Sequence, residues 1–276
     1  MNELLFPGLY IADTADSRVI LPSLFRSGYY CLILTDLLIA ACTKYGRLHC
    51  DYCDGTLIGY RPDTLCMEIP APCLWTVAFH PDLFKGRILE KTIEEYTFFS
   101  YALKEALHIS LKEQQILSSC VDDIRRELHH GTDSYKCTIL TRHITRLLDY
   151  TTRFYERQSI VRELNNELLI RQYEKLVKQY IGEGRLAQES LTSAYCAEQL
   201  HLSEAYFNDL LELQLGHTHN CHIQLQRIEI AKEKLRSSEE SLSQIVYELG
   251  FPSVQYFGFL FKKITGISPN EYKLLN

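Results

Sequence analysis

Two fourteen-residue stretches, SEAYFNDLLELQLG at 203–216 and SVQYFGFLFKKITG at 253–266, lie in register at an offset of fifty residues. They share Ser203/Ser253, Tyr206/Tyr256, Phe207/Phe257, Leu210/Leu260 and Gly216/Gly266. A short helix-forming stretch and a tight turn precede each: SAYCAEQL then HL, and LSQIVYEL then GFP. This repeat restricts the C-terminal part of the chain to one helix–turn–helix unit built twice. The shared positions have structural reasons. The serine caps the second helix by accepting an orphan backbone N–H. Tyr206, Phe207, Tyr256, Phe257 and the two leucines pin that helix to the first and read as core. The glycine suits a left-handed C-cap, and Gly250 suits a turn at positive φ.

Whatever such helices recognise must then be met by the intervening exposed positions. A recognition helix fits the major groove of DNA, and successive major grooves on one face lie about 34 Å apart. The stretch IQLQRIEIAKEKLRS at 223–237 predicts a helix of ~22 Å at 1.5 Å per residue, a strut able to set two recognition helices in adjacent grooves.

The rest of the chain divides by period. From 161 onward everything reads helical, with helices over 161–181, 193–200, 204–215, 223–236, 242–249, 254–264 and 269–275, a separate all-α domain at 161–276. The first domain, 1–160, opens with a mostly-β part (1–90). Strands are expected at 29–40, 45–50, 56–60, 64–69 and 74–79, separated by turn residues such as Asp54–Gly55 and Arg61–Pro62–Asp63, a pattern of small barrels or sandwiches. Helices fill 91–160. Leu117, Cys120, Val121, Ile124 and Leu128 form one stripe at 110–130; Leu140, Ile144, Leu147, Leu148, Thr151 and Phe154 form another at 135–157. Gly131 and Asp133 break the two apart, giving a hairpin that closes a core or pairs with a second subunit.

The run at 225–273 closely resembles the C-terminal signature of the AraC family of transcription regulators. RIEIAKEKL matches the strut, LSQIVYELGF the first helix of the second unit, YF…FKKITG its recognition helix and SPNEYK the closing turn. The resemblance covers about 169–276. FHPDLFKG and TIEEYTFFSYALKEALHIS, within 79–110, are similar to the regulatory half of one branch of that family. The resemblance implies a cupin-like barrel in the N-terminal half, for sensing or dimerisation. It also implies double-stranded DNA as partner and admits a second copy of the chain, RNA polymerase and a small-molecule effector. His49 and His80 do not form the HxH cluster of a metal-bearing cupin, so neither metal nor cofactor is expected.

The candidate DNA-contacting positions are Ser203, Glu204, Ala205, Asn208 and Glu212 in the first unit. In the second they are Ser253, Val254, Gln255, Gly258, Phe259, Lys262 and Lys263. The pattern departs from the family at Glu212 and Leu213, where basic residues are usual, and at Gly258 and Phe259, where a small polar residue and often an Arg would stand. Four basic residues face eight acidic ones over 167–222, a net of −4; seven face six over 223–276, a net of +1. Lysines on phosphates add affinity by counterion release, so the second unit is expected to anchor and the first to read bases weakly. Asn208 and Gln255 suit adenine, Glu204 or Glu212 suits cytosine N4, and Val254 or Phe259 suits a thymine methyl. Backbone N–H groups at both helix N-termini suit phosphates.

The leading expectation is a sequence-specific DNA-binding transcription regulator. The alternative is a degenerate regulator or protein-binding module whose DNA surface has decayed, motivated by the acidic first unit. A net charge of −6 cautions against a nucleic-acid partner without excluding one, since local patches govern binding. No G-x-S-x-G, phosphate loop or HExxH motif is present, and no catalytic residues are expected. His49, Cys50 and Cys53 in HCDYCDG lack a second ligand pair, so the cysteines read as reduced thiols. The longest apolar run, 29–42, is interrupted by Thr35 and Asp36, and the N-terminus lacks the pattern of a signal peptide. A cytoplasmic protein is expected.

Overall fold

The run YCLILT at 30–35 is almost unbroken in apolar residues, as suits a strand covered on both faces. In the computed structural model of the chain it is the central strand of a five-stranded sheet. The structure describes residues 6–13, 22–24, 26–36, 43–62, 64, 73–131, 133–237 and 240–275. They divide into two compact units, Met1–Glu163 and Leu164–Asn276.

The strands of the first unit are β1 (Leu9–Ala12), β2 (Tyr30–Thr35), β3 (Gly55–Tyr60), β4 (Cys73–Phe79) and β5 (Leu107–Ile109), in the order β1-β4-β2-β3-β5. All neighbours are antiparallel. Alternate side chains enter two different cores. Leu32, Leu34, Leu57, Trp75, Val77 and Phe79 join one cluster, whereas Cys31, Ile33, Ile58, Tyr60 and Ala78 join the other. The described strands form an open sheet edged by β1 and β5, in place of the closed cupin-like barrel expected.

Its α-helices within residues 73–162 are α1 (Ile88–Thr92), α2 (Leu111–His129) and α3 (Lys136–Val161). Ser110 and Glu113 cap α2 reciprocally. The Asp133 carboxylate accepts the Tyr135 and Lys136 N–H groups at 2.7 and 2.9 Å to start α3. Both expected stripes are buried in the same cluster as β2, β3 and β4, except Thr151, which is buried alongside. The hairpin therefore closes this unit's own core.

Two expectations fail here for one reason. The strand expected at 45–50 is a 3-10 turn (Thr43–Tyr45) followed by a loop, and β5 lies inside the region expected to be purely helical. Both segments are organised by polar groups at the end of α3. The Gln158 side-chain oxygen accepts the His108 N–H at 2.7 Å, and its amide donates to the Ala106 carbonyl at 3.0 Å, which holds β5 in place. Arg162 donates to the carbonyl of Gly46 and to Asp51, and Asp51 accepts the Leu48 N–H at 2.7 Å, which folds the loop. Gly46 has φ +70, and a Cβ there would overlap the Lys104 carbonyl. The strand expected at 64–69 and the end of that at 29–40 fall largely outside the described residues. Cys50 and Cys53 are free thiols, and no helix among the described residues is long and apolar enough to cross a membrane.

The second unit is all helical: α4 (Glu163–Gly182), α5 (Ser193–Gln199), α6 (Glu204–Leu215), α7 (His219–Ser237), α8 (Leu242–Glu248), α9 (Val254–Thr265) and α10 (Pro269–Leu275). Its core joins Tyr173 and Val177 of α4 to Phe207 and Leu211 of α6, Ile228 and Ala231 of α7, and Phe257 and Phe261 of α9. The α7 strut begins four residues before the expected start at 223, at His219.

Candidate nucleic-acid interface

The two helix–turn–helix units are built by the same local devices. Thr192 and Ser241 cap α5 and α8. At the turn, His201 donates its N–H to the Glu198 carbonyl at 2.9 Å and Leu202 to Ala197 at 2.8 Å. Gly250 and Phe251 repeat these bonds, to Tyr247 at 2.9 Å and Val246 at 3.0 Å. The first helices therefore correspond at an offset of forty-nine residues and the second at fifty, with Pro252 as the extra turn residue.

The turn residue differs in kind. Gly250 has φ +69, and a Cβ there would lie 2.2 Å from the Leu186 carbonyl oxygen. Its counterpart His201 has φ +56, the one positive-φ residue other than glycine among the described residues. His is among the side chains that tolerate this region.

The second helices start and stop as the repeat requires. The Ser203 hydroxyl accepts the Tyr206 N–H at 3.3 Å, and that of Ser253 the Tyr256 N–H at 3.1 Å. Gly216 and Gly266 end α6 and α9 in the left-handed conformation. Phe207, Leu210, Phe257 and Leu260 are buried as expected. The tyrosines are not: Tyr206 is half-buried and Tyr256 is 41% exposed, its hydroxyl accepting from Gln224 at 3.5 Å. A tyrosine can bury part of its ring and keep its hydroxyl within reach of a polar partner. Leu211 and Phe261 fill the core beside the phenylalanines; because they differ in type, the repeat did not mark them.

On α6, Glu204 and Glu212 are exposed, Ala205 and Asn208 half-buried, and Leu213 exposed. The Glu204 carboxylate accepts a hydrogen bond from the Ser193 hydroxyl. On α9, Val254, Gln255, Phe259, Lys262 and Lys263 are exposed and Gly258 half-buried. Lys263 has no hydrogen-bond or ion-pair partner among the described residues, and Lys262 acts electrostatically on Glu271. The nearby basic residues are engaged internally. Lys234 pairs with Glu240 and Glu248, and Lys232 with Glu229.

Arg227 serves the strut. Its Nε donates to the Leu249 carbonyl at 2.7 Å, its guanidinium lies 3.7 Å from the centre of the Phe251 ring, and burial draws its pKa down to about 10. At the other end of α7, His219 bridges the Tyr173 hydroxyl at 3.0 Å and the Leu191 carbonyl at 2.9 Å. Burial lowers the His219 pKa and so favours a neutral ring, which donates to the Leu191 carbonyl and leaves Nδ1 for the tyrosine hydroxyl. These anchors carry no periodicity and were not foreseen.

A helix-turn-helix domain family matches residues 196–274. The arabinose operon regulatory protein of Escherichia coli K12 is 33% identical over 95 residues, which cover 34% of this chain and 32% of that protein. The probable transcriptional regulator LumQ of Photobacterium leiognathi is 21% identical over 165 residues, 60% of this chain and 61% of that one. The chain thus spans less than two thirds of either relative. A solved AraC-type transcriptional regulator from Chromobacterium violaceum, 20% identical, aligns with 40% of this chain and 94% of its own at a TM-score of 0.37. Two matched helix–turn–helix units on one strut and the family match over them agree: the C-terminal part of this chain is a helix-turn-helix domain of the AraC type.

Proposed function

We propose that the chain is a sequence-specific DNA-binding transcription regulator that inserts α6 and α9 into successive major grooves of double-stranded DNA. One observation carries the reading: two equivalent units, each presenting a serine-capped helix with one face exposed, share a single strut. The strut has 19 residues, ~28 Å at 1.5 Å per residue, which suits grooves about 34 Å apart. The contacting residues are those named from the sequence, with Lys262 and Lys263 as phosphate anchors and Asn208 and Gln255 as base readers. Ser203 and Ser253 act chiefly as caps that aim backbone N–H groups outward. The names of the relatives, an operon regulatory protein and a transcriptional regulator, support the regulatory role. The N-terminal unit, Met1–Glu163, is proposed to control this binding.

A second reading has its own observation. The exposed face of α6 carries Glu204, Glu212 and Leu213 and no Lys or Arg, which suits a protein-binding module with a decayed DNA surface. Selection of duplexes from a randomised library by the whole chain, followed by binding titrations at low salt, separates the two. The regulator enriches a two-part site with parts one helical turn apart. Absence of any enriched sequence and of binding at low salt would sink it.

A further inference from the structure

We infer that Phe259 is a specificity-determining residue that reads the C5-methyl group of a thymine in the major groove. This rests on the DNA-binding reading above and goes beyond it to the chemistry of one base contact. Helix α9 buries Phe257, Leu260 and Phe261 on one side. Gln255, Gly258, Phe259 and Lys262 follow i, i+3, i+4, i+7 on the other. The Phe259 side chain is 69% exposed and stacks on no aromatic ring among the described residues. A phenyl left in water on a helix whose opposite side is core does nothing for the fold, so its apolar area is free for a partner.

Its neighbours decide the partner. Lys262 and Lys263, both exposed, lie three and four residues on, at the end of α9. Positive charge around one ring suits a polyanion better than an apolar protein groove. Gln255, one turn earlier, presents an amide that matches adenine. At Gly258 a Cβ would meet nothing within 4 Å, so the missing side chain leaves a step beside the phenyl through which the helix backbone can approach a base-pair edge. The apolar group that base edges offer in the major groove is the thymine methyl. Val254, the other apolar candidate, is only 36% exposed.

The test uses duplexes selected by the whole chain, in which each thymine in turn is replaced by deoxyuridine, so that only the methyl is removed. One replacement should weaken binding about fourfold, the effect expected of one buried methyl group. That penalty should vanish in Phe259→Ala and persist in Phe259→Leu, which keeps an apolar contact. Because Phe259 is exposed, neither variant should alter the thermal melt. Insensitivity of the wild-type chain to every deoxyuridine, or survival of every such penalty in Phe259→Ala, overturns the inference while leaving the regulator reading intact. Failure of the library to yield any site overturns that reading itself, and this inference with it.

Discussion

The guanidinium of Arg162 meets the carboxylate of Asp51 through two hydrogen bonds, of 2.9 and 2.6 Å, with both side chains buried. The pair joins the residue that ends α3 to a loop more than a hundred positions earlier in the chain. Removing one partner leaves the other charged and desolvated, which costs about 3–5 kcal/mol. Arg162→Ala should therefore shift the urea midpoint of the first unit strongly downward. Trp75, the single tryptophan, is buried in that unit with its indole N–H on the Ser118 hydroxyl at 3.1 Å, so its fluorescence reports the transition. The paired apolar replacement Arg162→Met with Asp51→Leu removes the unpaired charge but also the bonds to the Gly46 carbonyl and the Leu48 N–H, so it should recover only part of the loss; full recovery would mean that those backbone bonds add nothing to the loop.

His108 gives the same unit a dependence on pH. It is fully buried, its ring lying 3.1 Å from the Thr56 hydroxyl and 3.1 Å from the Tyr45 carbonyl. Burial is the main influence lowering its pKa from 6.5 to about 4, aided by Arg162 and opposed by Asp51. Between those values the unfolded chain binds a proton that the fold refuses, so stability is complete above pH 6.5 and falls as pH drops toward 4. The loss reaches about 3 kcal/mol for this group. His108→Gln, which keeps a donor for the Tyr45 carbonyl, should flatten the Trp75-detected stability between pH 6.5 and 4. An unchanged slope would remove His108 from the account.

Gly250 and His201 make opposite predictions from equivalent positions. Gly250→Ala adds left-handed strain and a Cβ 2.2 Å from the Leu186 carbonyl oxygen, and should cost more than about 2 kcal/mol. His201→Gly relieves strain at φ +56 and should be stabilising by up to about 1 kcal/mol, part of the gain being lost to the freer unfolded chain. Thermal melts followed by far-UV circular dichroism check both. If Gly250→Ala melts with the wild type, the turn is less fixed than its geometry implies.

These cases show what was legible in the sequence. The tandem units were, because capping, apolar spacing and terminal glycines are local signals: α6 falls at 204–215 as expected and α9 runs one residue past the expected 264. The exposed faces followed, and Gln255, Phe259, Lys262 and Lys263 lie on the surface. Contacts between distant residues were hidden. YGRLHC at 45–50 alternates like a strand, yet its loop is dictated by Arg162, and the three-residue β5 is fixed by Gln158 fifty positions away. His201 occupies a conformation that its residue type does not announce. Tyr206 and Tyr256 read as core because an aromatic ring gives no sign of which end stays wet.

Lys262 and Lys263 set the salt dependence of the proposed complex. Both are exposed on α9, and Lys263 has no competing carboxylate partner among the described residues. Each lysine placed on a phosphate adds about 0.9 to the slope of log affinity against log salt. The double variant Lys262→Ala, Lys263→Ala should therefore lower the slope by about 2 and weaken binding to all sequences alike. Glu204→Gln and Glu212→Gln remove negative charge from the exposed face of α6 and should raise affinity a few-fold at low salt, with the gain fading as salt screens it. Titrations of the selected duplex at several salt concentrations measure all of these effects. A slope unmoved by loss of both lysines would place the phosphate contacts elsewhere and leave α9 without its assigned anchor.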